Sequence, residues 1–282
     1  MGLKAMFTAQ KAMRLHNDGK IKEAIPLYEE AMKGGAADMR VVLAYAVLLI
    51  REGEYTKAKD LLVQHQKDKM SAEQKTQLLM NYAACCYKLG DIDKGVNLLE
   101  RQHLHQPTGM VYETLGYLYV EKYAANGKDA FAQREMARVK REAEERAREA
   151  AEMLEEGEEA PETVIPEIDV EALWQEGVEK ALAFEKEAAD YDEDDAITWD
   201  NLAQFYYRVL EDKATARPYF DKALAIKPGQ IDTLWFLSRY DLEGGDKAAA
   251  LEKLENALSG RFSPLNYVTK AEIEQEIQRL KQ

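Results

Sequence analysis

The chain has 282 residues and a formal net charge of −14, and 46% of its residues are hydrophobic. This length allows one or two ordinary domains or a single elongated repeat array. The excess of acidic residues argues against nucleic acid and anionic membranes as partners, because binding to phosphate groups depends on Lys and Arg.

The two cysteines, Cys85 and Cys86, are adjacent in the chain, which excludes a disulfide framework and is compatible with a reducing compartment. Residues 1–6 lack the apolar core of a signal peptide. The longest apolar run, Val41–Ile50, is shorter than the roughly 20 residues that a membrane-spanning helix needs. We therefore expect a cytoplasmic protein without a membrane span, or the soluble part of a larger or tethered protein.

The N-terminal part of the chain repeats at an interval of 34 residues. The recurring residues are Gly19, Ala24, Tyr28 and Ala31, then Gly53, Ala58, Leu62 and His65, and more loosely Gly90, Ile92, Gly95 and Leu99. Small residues at fixed positions let two helices approach closely, and large apolar residues fill the space between them. A glycine at the turn ends the first helix because it can adopt positive φ. The pattern predicts antiparallel helix pairs, whose apolar faces are buried by stacking.

Residues 128–169 interrupt this pattern. Lys128–Glu156 is rich in Ala, Glu and Arg, which predicts a helix, and Gly157–Asp169 is acidic with two prolines, which predicts a flexible loop. The apolar residues of the predicted helix form a thin stripe: Phe131, Ala132, Met136, Val139, Ala143, Ala147, Ala150 and Leu154. The insertion is either a solvated helical hairpin or a second surface for binding or dimerisation. A helix is predicted again from Val170, where the second helix of the interrupted pair belongs.

The interval of 34 residues returns towards the C-terminus. Here Ala216, Phe220 and Ala223 recur as Ala250, Leu254 and Ala257. The sequence Thr269-Lys270-Ala271-Glu272 then fits a capping box and opens a helix with Ile273, Ile277 and Leu280 on one stripe. We expect this helix, at about 269–282, to cover the end of the array.

Two stretches carry a more specific motif. They are Trp199-x2-Leu202-Ala203-x2-Tyr206, followed by Ala216-x3-Phe220 and Pro228, and Tyr112-x2-Leu115-Gly116-x2-Tyr119. These motifs resemble the tetratricopeptide repeat, whose pattern is Trp-x2-Leu-Gly-x2-Tyr, Ala-x3-Phe and Pro. Ala203 replaces the Gly of the family, and one residue is added in the turn before Ala216. The resemblance covers about residues 5–124 and 170–260.

The resemblance implies an all-α, right-handed superhelical solenoid of antiparallel helix pairs. It places six repeats in one array over residues 1–282, at about 5–38, 39–75, 76–108, 109–195, 196–230 and 231–263. The fourth repeat is split by the insertion, and the helix at about 269–282 caps the array.

In this family the first helices of the pairs line a concave groove that binds peptides or helices of other proteins. The resemblance implies that the groove residues of this chain are Met13, Arg40, Leu43, Val47, Met80, Asn81, Tyr87, Met110, Tyr117, Asn201, Gln204, Tyr207, Arg208, Trp235, Phe236 and Arg239. Aromatic residues and Arg are enriched in binding hot spots, Met adapts to irregular partners, and amides can hold a peptide backbone. An alternative for some of these residues is packing between repeats, and for those of the first two repeats it is coverage by another subunit.

One subgroup of the family binds the C-terminal carboxylates of chaperones through Lys, Asn and Arg residues at set positions. Ala9, Met13 and Ala44 occupy three of those positions in this chain. A chaperone tail of this carboxylate-clamp type is therefore not an expected partner.

The sequence gives no indication of an enzyme, a cofactor or a metal site. It lacks a Gly-rich phosphate loop, a Gly-x-Ser-x-Gly motif and a His-Glu-x-x-His motif. His103 and His105 have no nearby Cys to complete a zinc site, and we assign them to a surface turn. Arginines between residues 134 and 148 alternate with glutamates, which indicates a salt-bridged helix face.

We therefore predict a non-catalytic scaffold or adaptor that binds a peptide or helix of a partner protein in the groove. The alternative is a structural protein that assembles into a homo-oligomer through the inserted, charged helix. Neither interpretation identifies the partner.

Overall fold

The computed structural model describes residues 3–36, 38–152 and 163–282, and its secondary structure in these ranges is helical. The helices are α1 Leu3–Asn17, α2 Ile21–Lys33, α3 Met39–Arg51, α4 Tyr55–His65, α5 Ala72–Lys88, α6 Ile92–His105, α7 Gly109–Tyr123, α8 Lys128–Glu152, α9 Val170–Tyr191, α10 Ala196–Gln204, α11 Lys213–Ile226, α12 Ile231–Glu243, α13 Lys247–Leu258 and α14 Lys270–Lys281. A 3₁₀ turn at Ala125–Gly127 precedes α8, and a π-helical turn at Phe205–Val209 follows α10.

The helices pack as consecutive pairs. α1 packs against α2, α3 against α4, α5 against α6, α10 against α11 and α12 against α13, and successive pairs are in contact. Three residues link the helices of each pair, counted for α10 and α11 from the end of the π-helical turn, and these short links make the two helices antiparallel. The predicted all-α solenoid of antiparallel helix pairs is confirmed.

Glycines end the first helices of the N-terminal pairs, as the repeat pattern predicts. Gly19, Gly53 and Gly90 have φ values of 73°, 79° and 89°. L side chains rarely adopt this conformation, so glycine is favoured at each of these turns. The small residues of the pattern have no exposed surface, which lets the helices approach closely: Ala24, Ala31, Ala58, Ala216, Ala223, Ala250 and Ala257.

The interrupted region contains α8 and α9. α9 packs against α7 and against α10. The aromatic rings of Tyr123 on α7 and Trp174 on α9 lie 5.5 Å apart, and Phe131 of α8 lies 5.1 Å from Trp174. The assignment of α7 and α9 to one split repeat stays a prediction.

The apolar stripe of α8 is only partly buried. Phe131, Val139 and Ala143 are buried, but Met136 is 61% exposed. On the charged face, Arg138 pairs with Glu135 and Glu142, as the alternating charges predict. Residues 153–162 lie outside the described residues. They include Leu154 of the predicted stripe and the first part of the predicted acidic loop, with Pro161.

The C-terminal helix α14 begins with the predicted capping box. Thr269 accepts a hydrogen bond from the backbone of Glu272, and the Glu272 side chain accepts one from the backbone of Thr269. Ile273, Ile277 and Leu280 are buried against α12 and α13, so α14 covers the apolar end of the last pair. Over residues 3–36, 38–152 and 163–282, no helix combines the length and apolar character needed to cross a bilayer.

The residue added in the fifth repeat is accommodated differently from our expectation. We placed it in the turn before Ala216, whereas the π-helical turn at Phe205–Val209 takes up an extra residue within the helix itself. The three-residue link to α11 is kept, and Glu211 adopts a φ of 53° in it, where the other links have glycine. The prediction failed because a π-helical turn leaves no obvious signal in the residue pattern.

Candidate protein-binding face

The first helices of the pairs form one surface, which we call the first-helix face. It consists of residues on α1, α3, α5, α7, α10 and α12, and the capping helix α14 borders it. The predicted groove residues lie on these helices or in the π-helical turn that follows α10, and the structure separates all but four of them into three groups.

The first group lines an open groove between α3 and α5. Five of the predicted residues are brought together here: Arg40, Leu43, Val47, Met80 and Asn81. The groove has a volume of about 710 Å³. Its other lining residues are His16, Ala44, Ser71, Glu73, Gln74 and Gln77. It therefore combines an apolar surface with several amide groups and one guanidinium group.

The helices α3 and α5, which border this groove, both begin with a side-chain cap. Asp38 caps α3 by accepting a hydrogen bond from the backbone N–H of Arg40 at 2.8 Å, and its other oxygen accepts one from the Arg40 guanidinium at 2.9 Å. These bonds lower the pKa of the Asp38 carboxyl group. Ser71 caps α5 in a capping box with Gln74. The ends of both helices are thus fixed, and the Arg40 side chain is held at the edge of the groove.

A smaller pocket continues the groove towards the N-terminus. Met6, Gln10 and Met13 of α1 line it together with Arg40, and its volume is about 270 Å³. Arg40 borders both the pocket and the groove. Except for Tyr87, the predicted residues of the first three repeats therefore line one continuous surface.

The second group forms a cluster in the middle of the face. The hydroxyl group of Tyr87 donates a hydrogen bond to Glu121, and the Arg208 guanidinium donates one to the same carboxylate at 2.6 Å. The rings of Tyr87 and Tyr117 lie edge to face at 5.7 Å. Burial, followed by the Glu121 carboxylate, raises the pKa of the Tyr87 hydroxyl. These groups are already paired with each other.

Asn201 also belongs to the second group. Its side-chain amide donates to the carbonyl oxygen of Glu113 at 2.9 Å, and its side-chain oxygen accepts from the hydroxyl group of Tyr267 at 2.8 Å. Only 2% of Asn201 is exposed. Its hydrogen-bonding groups are therefore used within the chain.

The third group lies nearer the C-terminus. Trp235 and Arg239 line a pocket of about 610 Å³ between α12 and α14. The Arg239 guanidinium lies 3.7 Å from the centre of the Trp235 ring and 2.7 Å from Glu276. Hydrogen bonds from Arg279 and Arg239 lower the pKa of Glu276 to about 2.

Three predicted residues pack inside the array, and a fourth lies apart from the three groups. Gln204 has no exposed surface, and Phe236 stacks on Phe220 at 5.7 Å. Tyr207 is half-buried and contacts Phe236 edge to face at 5.0 Å. Met110 is half-buried at the start of α7. In this conformation Gln204 and Phe236 are not available to a partner, because they fill the space between α10, α11 and α12.

Sequence reasoning missed Asp232, Asn266 and Tyr267, which lie beside the middle cluster. Asp232 accepts hydrogen bonds from the Asn266 side chain at 2.6 Å and from the backbone N–H of Tyr267 at 2.9 Å. Burial raises the pKa of Asp232 to about 6, against the opposing effect of these bonds. The available signal was the length of the connection between α13 and α14, which exceeds that of the other connections between pairs.

The assignment of the histidine pair to a surface turn was wrong for His103. His103 lies within α6, and its ring packs at 4.9 Å from Tyr112 and 5.1 Å from Phe184. Cys85 and Cys86 are free thiols and are buried. Among the described residues, no three His, Cys, Asp or Glu side chains are grouped as a metal site.

Comparisons with known proteins agree with the helical-repeat fold described above. Residues 17–102 match the family model of anaphase-promoting complex (cyclosome) subunit 3, which is less than half of the chain. No curated protein sequence matches the chain.

Two solved structures share the fold at low sequence identity. TTC0263, a thermophilic TPR protein of Thermus thermophilus, is 16% identical with a TM-score of 0.57, and the match covers 86% of this chain and 99% of that chain. The human IFIT1 dimer with m7Gppp-AAAA is 14% identical with a TM-score of 0.58, and the match covers 96% of this chain but only 53% of IFIT1. At these identities the similarity establishes the fold alone.

Proposed function

We propose that this chain, which has the fold of tetratricopeptide-repeat proteins, is a non-catalytic scaffold or adaptor that binds a peptide or helix of a partner protein on its first-helix face. The partner site that we assign is the open groove between α3 and α5. The observation that carries the proposal is that Arg40, Leu43, Val47, Met80 and Asn81 line this one groove.

The chemistry of the groove suits a segment with apolar side chains. Val47 and Met80 provide a half-buried apolar surface next to Leu43, which is only 5% exposed, and burial of apolar area is the main source of binding free energy. Gln77 and Asn81 each offer a donor and an acceptor, which can hold the backbone of the bound segment. The net charge of −14 favours a protein partner over nucleic acid.

The test is selection of binding peptides from a displayed random library on the wild-type protein. Selection is followed by measuring the affinity of one enriched synthetic peptide by fluorescence polarisation. The site variant carries Val47→Glu and Met80→Glu. We expect its affinity to fall by about tenfold or more, because a charge in the groove must be desolvated against apolar side chains.

The matched control carries Val63→Glu and Leu104→Glu. These residues are 41% and 85% exposed and lie on the second helices α4 and α6, so the control has the same change in charge outside the groove. Both variants should keep the wild-type circular dichroism spectrum. Equal affinity of the site and control variants for the peptide would overturn the assignment of the groove.

Self-association through α8 is the second candidate function. The exposed Met136 on α8 and the exposed Val164 and Ile165 after it favour a contact there. Phe131, Val139 and Ala143 argue against it, because they are already buried within the chain. Light scattering decides between the two, since a mass of 32.1 kDa at high concentration would exclude an α8-mediated oligomer.

A further inference from the structure

The connection between α13 and α14 is longer than any other connection between consecutive pairs. It spans residues 259–269, whereas α2–α3, α4–α5, α6–α7, α9–α10 and α11–α12 are joined by three to six residues. Its central part, residues 261–268, crosses the first-helix face next to α7, α10 and α12. We call residues 261–268 the strap.

The strap is fixed to α12 through a single carboxylate. One oxygen of Asp232 accepts hydrogen bonds from the backbone N–H groups of Tyr267 and Val268 at 2.9 and 3.2 Å. The other accepts from the side chain of Asn266 at 2.6 Å. Asn266 in turn accepts a bond from the backbone N–H of Ser263 at 2.6 Å, which holds the turn of the strap.

The side chain of Tyr267 lies in the middle cluster of the face. Its ring is 4.7 Å from that of Tyr117 and 5.1 Å from the Arg208 guanidinium. Its hydroxyl group donates to Asn201 at 2.8 Å, and the Tyr117 hydroxyl donates to the carbonyl oxygen of Asn266 at 3.5 Å. Three residues that the family resemblance assigns to partner binding, Tyr117, Asn201 and Arg208, therefore contact the strap.

These contacts are of the kind that a binding face makes with an external peptide. Backbone N–H groups meet a fixed acceptor, and an aromatic ring enters a pocket formed by another aromatic ring and a guanidinium group. The strap does not fill the site, because a cavity of about 310 Å³ remains beside it. Glu113, Lys227 and Arg261 are among the residues that line this cavity. The site between α7, α10 and α12 therefore has unfilled volume next to the strap.

We propose that the strap is an internal occupant of a second peptide site, over repeats four to six, and that a partner segment replaces it there. The partner is an extended segment of another protein with an Asn-Tyr pair or its chemical equivalent, whose tyrosine takes the place of Tyr267. This inference rests on the proposed function, because it assumes that the first-helix face binds protein segments.

The test uses a fluorescent synthetic peptide of residues 260–269 as the probe. The receptor is the full chain carrying Asn266→Ala and Tyr267→Ala, which weakens the strap's own contacts. We expect this variant to bind the peptide at least about tenfold more tightly than the wild-type protein, in which the tethered strap competes at a high effective concentration. The same peptide with Ala in place of its tyrosine should bind neither protein.

The control receptor carries Lys270→Ala, an exposed position two residues after the strap. It should bind the peptide as weakly as the wild-type protein. Equal binding of the peptide by the wild-type and strap variants would overturn the proposal. Absence of binding by a strap variant with a wild-type circular dichroism spectrum would also overturn it.

Amide hydrogen exchange of the wild-type chain provides a test that does not depend on the folding of a variant. Displacement requires the amides of Tyr267 and Val268 to exchange through local opening, at least about tenfold faster than the buried amide of Leu115 in α7. Exchange of all three amides at one common rate would show that the strap opens only when the whole protein unfolds, and would overturn the proposal.

The two proposals can fail separately. Val47→Glu and Met80→Glu lie on α3 and α5 and leave the strap unchanged. Added to the strap variant, they should not alter its affinity for the 260–269 peptide. If the site variant binds the library peptide as tightly as the control variant, while the strap variant still binds the strap peptide, only the assignment of the α3–α5 groove is rejected.

Discussion

The substitution Gly177→Ala tests the packing of α9 against α7. A Cβ atom at position 177 would lie 2.6 Å from two ring atoms of Tyr123. Ordinary van der Waals contact begins near 3.4 Å, so the Tyr123 ring would have to move by almost 1 Å. The ring has little room, because it is 6% exposed and lies between Phe131, Trp174 and Tyr119.

Two opposing effects determine the magnitude. Replacing Gly by Ala inside a helix stabilises it by about 1 kcal/mol, whereas overpacking a well-filled core costs about 1–3 kcal/mol. Since a rigid ring opposes the new methyl group, we expect a cost near the upper limit and a net loss of about 2 kcal/mol in the free energy of unfolding. Urea denaturation followed by far-ultraviolet circular dichroism measures this loss as a lower midpoint.

Two further variants make the interpretation specific. Gly109→Ala is the matched control, because no atom lies within 4 Å of a Cβ atom there, and its stability should equal or exceed that of the wild type. In a Tyr123→Leu background the ring is absent, so Gly177→Ala should stabilise by up to about 1 kcal/mol. A wild-type midpoint for Gly177→Ala alone would refute the described contact between α9 and α7.

Three other predictions concern buried ionisable groups. Burial raises the pKa of Glu113 to about 7. The stability that protonation of Glu113 contributes is therefore complete below the ordinary pKa of 4.5 and is lost as the pH rises through 7. Glu113→Gln should remove up to about 3 kcal/mol of this pH dependence, measured by urea denaturation between pH 4.5 and 8. Both carboxyl oxygens of Glu185 are buried without a hydrogen-bond partner, and Glu185→Met should raise the free energy of unfolding by about 1–3 kcal/mol in the same assay. Burial raises the pKa of Cys85 to about 12 and that of Cys86 above its usual value, so a thiol-reactive chromophore should modify both only at the rate of unfolding.

Each of these predictions has an outcome that contradicts it. A Glu113→Gln variant with the same pH dependence as the wild type would show that Glu113 is solvated. Destabilisation by Glu185→Met would reveal that Glu185 has an unrecognised partner. Rapid modification of either cysteine in the native protein would mean that α5 is more accessible than its packing indicates.

The parts of the fold that the sequence predicts are those encoded by spacing. Buried alanines, turn glycines and the capping box at Thr269 act through local geometry, and each recurs or stands at a fixed distance from its partner. The residues of the Arg40 to Asn81 groove were implied by the family resemblance, and they lie together because the register of α3 and α5 is regular. Five predicted residues meet there without any special loop.

The remaining parts depend on contacts between residues far apart in the chain. Tyr267 reaches Asn201, which is 66 residues away, and no periodicity connects the two. Tyr207 was assigned to the face by counting along a regular helix, and the π-helical turn that contains it changes that count. Spacing alone cannot reveal either effect, because both arise from the tertiary packing of individual side chains.

The π-helical turn at Phe205–Val209 also affects how this chain should be aligned and engineered. The π-helical turn accommodates one extra residue within the helix. The link to α11 keeps the three residues found in the other pairs, and Phe220 is fully buried. A repeat alignment that allows gaps only between helices would shift residues after the π-helical turn by one position. Deleting one residue to restore a perfect period would rotate Arg208 by about 100° relative to α11 and separate it from Glu121. A repeat without the extra residue would therefore lose the contact between Arg208 and Glu121 in the middle cluster.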